Sequence, residues 1–244
     1  MGKETLKMFL EYPIGNSDLV FEKFKTLSGH IFKENPINNK ERFIYIRGTK
    51  KDKVVLVAHA DTFFDTRYDN EEINHFVVEE NGFFIGVDNN DDRCGLGADD
   101  RAGCAIIWLL KDLGHSILIV DGEEKGKLGS NWLMDNFKEI ATELNNHQFM
   151  IQFDRRNSSD FKCYDVGTEN FRTFISEKTG FSEPDRRAST DICALCTDIC
   201  GVNLSVGYYN EHTTNESINI EEWKNTLEIA RKLLSEELPK FHLS

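Results

Sequence analysis

Proline is scarce in this chain of 244 residues, four in all, and no tract rich in proline, glycine or serine divides it. A linker between independent units has no place to sit, and one domain spanning 1–244 is expected. No run of 18 apolar residues occurs, so no helical membrane span is expected. Basic blocks are missing too: 29 Lys and Arg stand against 42 Asp and Glu, a net charge of −13. Nucleic acid and anionic lipid would be repelled by that balance, and neither is expected as a partner. The N-terminal MGKETLKMFLEYP is too polar for a secretory signal, and Leu6 stands where a myristoylation signal needs Ser or Thr. The expected location is cytoplasmic. Six cysteines, scattered from Cys94 to Cys200, are no disulfide framework in a chain of this length. Cys193, Cys196 and Cys200 have a spacing that a metal can use, but without a fourth ligand nearby they read as small apolar packing residues.

What is present is an alternation of two periods. RFIYIRG (42–48), KVVLVAH (53–59), GFFIGVD (82–88), SILIVDGEE (116–124), QFMIQFD (148–154) and NLSVGYY (203–209) read as strands, most of them apolar throughout. DRAGCAIIWLLKDLG (100–114) and GKLGSNWLMDNFKEI (126–140) have helical spacing. A last helix is expected from Ile220 to Leu238, with Asn219 and Glu222 at a capping-box-like start and Pro239 marking its stop. Apolar strands interleaved with amphipathic helices describe an α/β fold, a mixed, mostly parallel sheet between two helical layers.

In such sheets function gathers where strands end. VVLVAHAD ends in His59 and Asp61, ILIVDGEE in Glu123 and Glu124, and FMIQFD in Asp154. GLGADDRAG places Asp99 and Asp100 at the glycine-rich start of a helix, and GYYNEHTTNE places His212 just past a strand. If these ends are neighbours, two imidazoles and several carboxylates converge. Clustered carboxylates repel one another, and a divalent cation relieves that cost. Mixed His and Asp/Glu donors suit zinc, with cobalt or manganese where oxygen dominates. Each piece alone has an ordinary structural explanation, a solvated loop or a helix start; the ordered series does not.

That series, HAD, GADDRAG, EEKGKLGS, FD and EHTTNE over residues 59–216, resembles the co-catalytic di-zinc exopeptidases of clan MH. The resemblance implies a zinc-exopeptidase-like αβα sandwich and two divalent metal ions. In it Asp99 bridges both metals, His59 and Asp154 complete one, and Glu124 and His212 complete the other. Glu123 is the general base, and Asp61 orients His59. The family also has a cis peptide after the bridging aspartate, here Asp99–Asp100. The chemistry agrees: two cations need one bridging carboxylate and terminal ligands, and a carboxylate outside the ligand set must carry the proton. Asp61 would fix the tautomer of His59 through its other ring nitrogen.

Many members of the family insert a lid or dimerisation domain before the last histidine. The interval from Asp154 to His212 already holds FRTFISEKTG, STDIC and a strand, so a lid-less catalytic domain is expected. STDIC resembles the family's Gly-Thr-Asp stretch and puts Thr190 and Asp191 near the site. Arg155, Arg156, Arg186 and Arg187 either read a substrate carboxylate or form ordinary surface ion pairs. Asp88, Asp91, Asp92 and Asp100 form an acidic cluster that would greet a free amino terminus. The leading expectation is an aminopeptidase acting on short peptides. Other readings are a di- or tripeptidase or carboxypeptidase, an N-acyl amino acid amidohydrolase, a one-zinc glutaminyl cyclase-like enzyme, and a non-catalytic binding protein on the same fold. No oligomeric state follows from the sequence.

Overall fold

The computed structural model describes residues 2–66, 75–185 and 189–243; Arg186 and Arg187 lie outside the described residues. Helices α1 (Gly2–Leu10) and α2 (Asp18–Lys25) precede strands β1 (His30–Glu34), β2 (Arg42–Ile46) and β3 (Val55–His59). Strands β4 (Phe76–Glu80) and β5 (Phe83–Val87) lead to helix α3 (Ala98–Leu110) and strand β6 (Ser116–Val120). Helices α4 (Leu128–Asn136) and α5 (Lys138–Leu144), strands β7 (Met150–Arg155) and β8 (Phe161–Lys162), and helices α6 (Glu169–Thr179) and α7 (Asp191–Leu195) come next. Strands β9 (Gly201–Ser205), β10 (Tyr208–Tyr209) and β11 (Ser217–Asn219) and helix α8 (Ile220–Ser235) complete the order.

Seven strands form one sheet in the order β1-β2-β6-β3-β7-β9-β8. Its centre, β6, β3, β7 and β9, is parallel. Strands β1, β2 and β8 join antiparallel at the flanks. Side chains alternate across a strand, and β3 shows the result. Leu56 and Ala58 face a core shared with Leu6, Phe9, Ile106 and Trp223 of α1, α3 and α8. Val55 and Val57 face a second core with Leu133, Ile140 and Leu195 of α4, α5 and α7. Helices therefore cover both faces, which is why the central strands are apolar throughout. Trp223 is fully buried and donates its indole N–H to the Ala102 carbonyl at 3.1 Å, tying α8 to α3.

Four expected elements differ in detail. The strand at 82–88 belongs to a second sheet, ordered β10-β11-β5-β4, where it pairs with β4 across the Asn81–Gly82 turn. Both turn residues have positive φ (51° and 82°), the geometry that Asn-Gly favours. The run 203–209 is split at Gly207 (φ 88°), where the chain passes from the first sheet to the second. A Cβ at Gly207 would stand 3.0 Å from the Trp223 nitrogen. The helix at 126–140 breaks at Phe137 (φ −124°, ψ 61°), whose ring packs edge-on against Phe43 and Trp132. The last helix starts at Asn219 as expected, its side chain accepting the Glu221 and Glu222 amides, but stops at Ser235. The chain leaves the helix early because Leu238 is buried and its N–H reaches Asp52 Oδ2 at 2.6 Å.

No helix among the described residues is long and apolar enough to cross a membrane. All six cysteines are free. Among the described residues, no group of side chains close enough to hold a cation includes a cysteine.

Gly103, on the first turns of α3, lets that helix lie against β7. A Cβ there would meet the Phe153 carbonyl at 2.5 Å and the Asp100 carboxylate. Gly103→Ala is expected to destabilise the protein by about 1–3 kcal/mol, the usual cost of overpacking a rigid contact. Equilibrium denaturation of the variant against the parent chain is the check.

Candidate metal centre

Strands β6, β3 and β7 are parallel neighbours, so their carboxyl ends open on one edge of the sheet. His59 is the last residue of β3, Asp154 lies at the end of β7, and Glu123 and Glu124 follow β6. Gly97, in left-handed geometry (φ 69°), turns the chain into α3 and brings Asp99 to the same edge. The Asp99–Asp100 peptide is cis, as the resemblance implied. His212 comes from the turn between β10 and β11, and its ring stacks on Phe63 at 4.7 Å.

Asp99 stands at the centre. Its Oδ1 lies 3.1 Å from His59 Nε2, and its Oδ2 lies 3.2 Å from His212 Nε2. His59 Nε2 also faces Asp154 Oδ1 at 3.6 Å, and His212 Nε2 faces Glu124 Oε1 at 3.0 Å. Each oxygen of one carboxylate thus has its own imidazole and its own second carboxylate. The five side chains expected to be ligands are all brought together. His212 is the exposed member, with 42% of its side chain accessible, and the others line the floor.

Asp61 does more than was expected of it. The acceptor nearest His59 Nδ1 is the backbone carbonyl of Asp61 at 3.0 Å, with the carboxylate farther off at 3.4 Å. The carboxylate instead accepts the amides of Glu123 and Glu124, both at 3.2 Å. Asp61 therefore ties the end of β3 to the loop that carries the two glutamates. Thr190 and Asp191 both sit at the site. Thr190 Oγ1 donates to Asp154 Oδ2 at 2.6 Å. Asp191 accepts from Ser130 Oγ at 2.7 Å and from Gln152 Nε2 at 3.2 Å.

Asp100 is no rim residue. It is fully buried, and its carboxylate accepts the Gly103 amide at 3.0 Å and the His59 amide at 3.3 Å. Asp88, Asp91 and Asp92 lie apart from it in a turn where Asp88 Oδ1 accepts the Asn90 and Asp92 amides. Arg156 is engaged by Glu211 at 2.7 Å.

Three contributors went unassigned in the sequence. Glu216 is buried, and its carboxylate accepts the amides of Leu96 (3.1 Å), Gly97 (2.6 Å) and Asp99 (3.0 Å). Tyr208 donates its hydroxyl to Asp154 Oδ1 at 3.3 Å, and Gln152 donates to Asp154 Oδ2 at 3.1 Å. The one available signal was Glu216 itself, the last residue of the EHTTNE motif.

The electrostatics follow from crowding. Burial, with the charges of Asp191, Asp154 and Asp99, pushes Glu123 up to about 9 against the pull of His59. Burial and Asp99 raise Glu124 to about 7, and burial and Asp99 raise Asp154 to about 6. Hydrogen bonds to Asp99 and Glu124 lift His212 to about 11. For His59, burial works the other way, but contacts with Asp154, Asp61 and Asp99 prevail and hold it well above its ordinary value. The cluster thus demands positive charge, and without a metal protons meet that demand.

The residues fit a pair of divalent cations. Donors about 2.0–2.1 Å from a tetrahedral ion stand about 3.3–3.4 Å from one another. The observed separations of 3.0–3.6 Å bracket that value. Glu124 Oε1 is buried and faces the His212 ring nitrogen at 3.0 Å, as a donor atom beside a co-ligand would. A cleft of about 180 Å³ opens on the cluster, lined by Glu123, Arg155, Tyr164, Thr190, Tyr208 and Glu211 among others.

No protein-family model and no curated protein matches the chain. Solved structures do. Aminopeptidase PepT from Bacillus cereus aligns over 96% of this chain and 98% of its own, with TM-score 0.64 and 16% identity. A tripeptidase from Staphylococcus aureus aligns over 96% and 98%, with TM-score 0.66 and 16% identity. The TET1 peptidase of Pyrococcus horikoshii aligns over 97% and 100%, with TM-score 0.61 and 12% identity. The chain has the fold of these peptidases. At 12–16% identity the likeness is one of fold, and the chemistry of this peptidase-like fold has to be argued from its own side chains.

Glu216→Ala would leave three buried amides at the start of α3 without an acceptor. A loss of about 3 kcal/mol or more is expected from the unmet amides, read by denaturant titration. Glu216→Gln, which keeps an acceptor oxygen, should lose less.

Proposed function

We propose that this chain is a metal-dependent exopeptidase that removes residues from short peptides at a dinuclear site, most simply as an aminopeptidase. The observation that carries the reading is Asp99: each of its two oxygens faces a separate imidazole–carboxylate pair. Asp99 would bridge two cations, zinc by the donor set, with cobalt or manganese as alternatives. His59 and Asp154 would complete one site, and Glu124 and His212 the other. The segment from Asp154 to His212 folds as β8, α6, α7, β9 and β10, which supports a single lid-less catalytic domain.

When bound, the metals would polarise the scissile carbonyl and make a hydroxide nucleophile available near neutral pH. The remaining work falls to the chain. Glu123 would take a proton from water on its carboxylate and return it to the leaving amine. Its high proton affinity in this crowded setting suits an acid–base group, and positive charge beside it would draw that affinity down toward neutrality. Asp61 would hold the Glu123–Glu124 backbone and the tautomer of His59. Thr190, Gln152 and Tyr208 would keep Asp154 from turning, so that its charge is already placed when the reaction begins. Peptide substrates and the aminopeptidase sense are supported by the names of the neighbours in fold. The TET1 peptidase is described as assembling into a tetrahedron or a large octahedral shell, which makes self-assembly of this chain worth measuring.

A mixed peptide pool incubated with the zinc- or cobalt-loaded protein should lose N-terminal residues by mass spectrometry. Trimming from the other end would make it a carboxypeptidase, and a pool left intact would rule out peptide hydrolysis and turn attention to acyl-amino acids. Glu123→Gln is expected to keep both metals while turnover falls by about 10²–10⁴-fold or more; substantial residual activity would refute the base assignment. Asp99→Ala is expected to lose both metals in elemental analysis, and retention of two would show the bridge to be misplaced.

A further inference from the structure

Beside the metal ligands sits a cation that is only loosely held. Arg155 is buried, with 6% of its surface exposed, and lines the cleft with Asp154, Tyr164 and Thr190. Its guanidinium makes no hydrogen bond among the described residues, and its Nε is buried without a partner. The nearest carboxylate oxygen, Asp160 Oδ2, is 3.6 Å from Nη2, too far for a hydrogen bond, and already accepts Asn157 Nδ2 at 3.0 Å. Arg156, by contrast, is occupied by Glu211 at 2.7 Å. Buried guanidinium groups are costly when unpaired and are ordinarily held by carboxylates.

The placement has a backbone cause. Alternation along a strand would send Asp154 and Arg155 to opposite faces. The pairing of β7 with β9 shifts register between Gln152 and Arg155, so the alternation is broken there. Both residues then line one cleft.

We infer that Arg155 is a specificity residue that reads a carboxylate on the substrate, close to the bond to be cut. The inference rests on the exopeptidase reading above and names its substrate class. Arg155 lines the same cleft as Asp99, Glu123 and His212. A carboxylate held there therefore belongs to a residue near the scissile bond. Two sources have this chemistry: the α-carboxylate of a dipeptide, and the side chain of an acidic N-terminal residue. The Tyr164 hydroxyl, which accepts Asn203 Nδ2 at 3.2 Å, can donate to the same group.

The test compares kcat/KM of the zinc-loaded protein on two matched pairs, Ala-Ala against Ala-Ala amide and Asp-Ala amide against Asn-Ala amide. Wild type should prefer the acid in one pair by about tenfold or more, the worth of one charge-assisted hydrogen bond. The pair that responds identifies the source. Arg155→Met should bring that ratio to about one, chiefly through KM. A wild type indifferent in both pairs overturns the inference, and so does an acid preference that survives in Arg155→Met, since the metals would then be reading the carboxylate. If Arg155→Met does not fold, Arg155→Lys decides, because a point charge lacks the forked geometry; the ratio should fall severalfold, and an unchanged ratio is contrary. If wild type cleaves none of the four, the peptidase reading fails, and calorimetric titration with Ala-Ala and its amide still decides. Acid-selective binding abolished in Arg155→Met upholds the carboxylate site, and equal binding of the two refutes it.

Discussion

Negative charge packed into a small buried volume is the constraint on which the rest of this molecule turns. Asp61, Asp99, Asp100, Asp191 and Glu216 are buried, and Glu123, Glu124 and Asp154 lie among or beside them. Such groups do not stay ionised together unless something answers them. Part of the set is answered by the chain: backbone amides serve Asp61, Asp100 and Glu216, and Ser130 and Gln152 serve Asp191. The remainder, Asp99, Glu124 and the Oδ1 of Asp154, is turned toward two imidazoles at ligand-to-ligand distances. The carboxylates thus sort into those that hold the loops and those that could hold a cation, and the sorting is visible in which of them receive a backbone amide.

The fold supplies the precision. Parallel strands β3, β6 and β7 bring His59, the glutamate loop and Asp154 to one edge of the sheet. Around that edge the chain departs from regular geometry wherever a side chain must be aimed. Gly97 is left-handed before Asp99, Gly207 carries the chain from one sheet to the other, and the register shift in β7 turns Arg155 beside Asp154. Glu216 then gathers three amides at the start of α3, so Asp99 is held from a segment distant in sequence.

Specificity in such a site depends on what remains unsatisfied after the chain has met its own needs. Arg156 and Glu211 neutralise each other at the rim, while Arg155 keeps its charge inside the cleft. A substrate carboxylate would complete it, much as a cation would complete Asp99 and Glu124. The same reasoning, applied to charges of opposite sign, supports both the proposed metal pair and the proposed carboxylate pocket.

The apolar runs of β3, β6 and β7 were legible in the sequence because a strand buried on both faces needs no polar alternation, and HAD, GADDRAG, EEKGKLGS, FD and EHTTNE stand at the ends of those runs or beside them. The sheet with helices on both sides and the candidate ligands could therefore be read in order along the chain. Local sequence could not say where each neighbour stops. Gly207 splits one apparent strand between two sheets, Phe137 breaks one apparent helix, and Leu238 leaves α8 early to reach Asp52. Nor could it separate the two roles of Asp61, the burial of Asp100, or the idle guanidinium of Arg155 from the occupied one of Arg156. Composition and periodicity determine which residues must be buried and which strand ends must carry charge, because those are local demands of water and backbone. Which carboxylate receives an amide, which faces an imidazole and which arginine is held loosely are settled only by contacts between segments far apart in the chain.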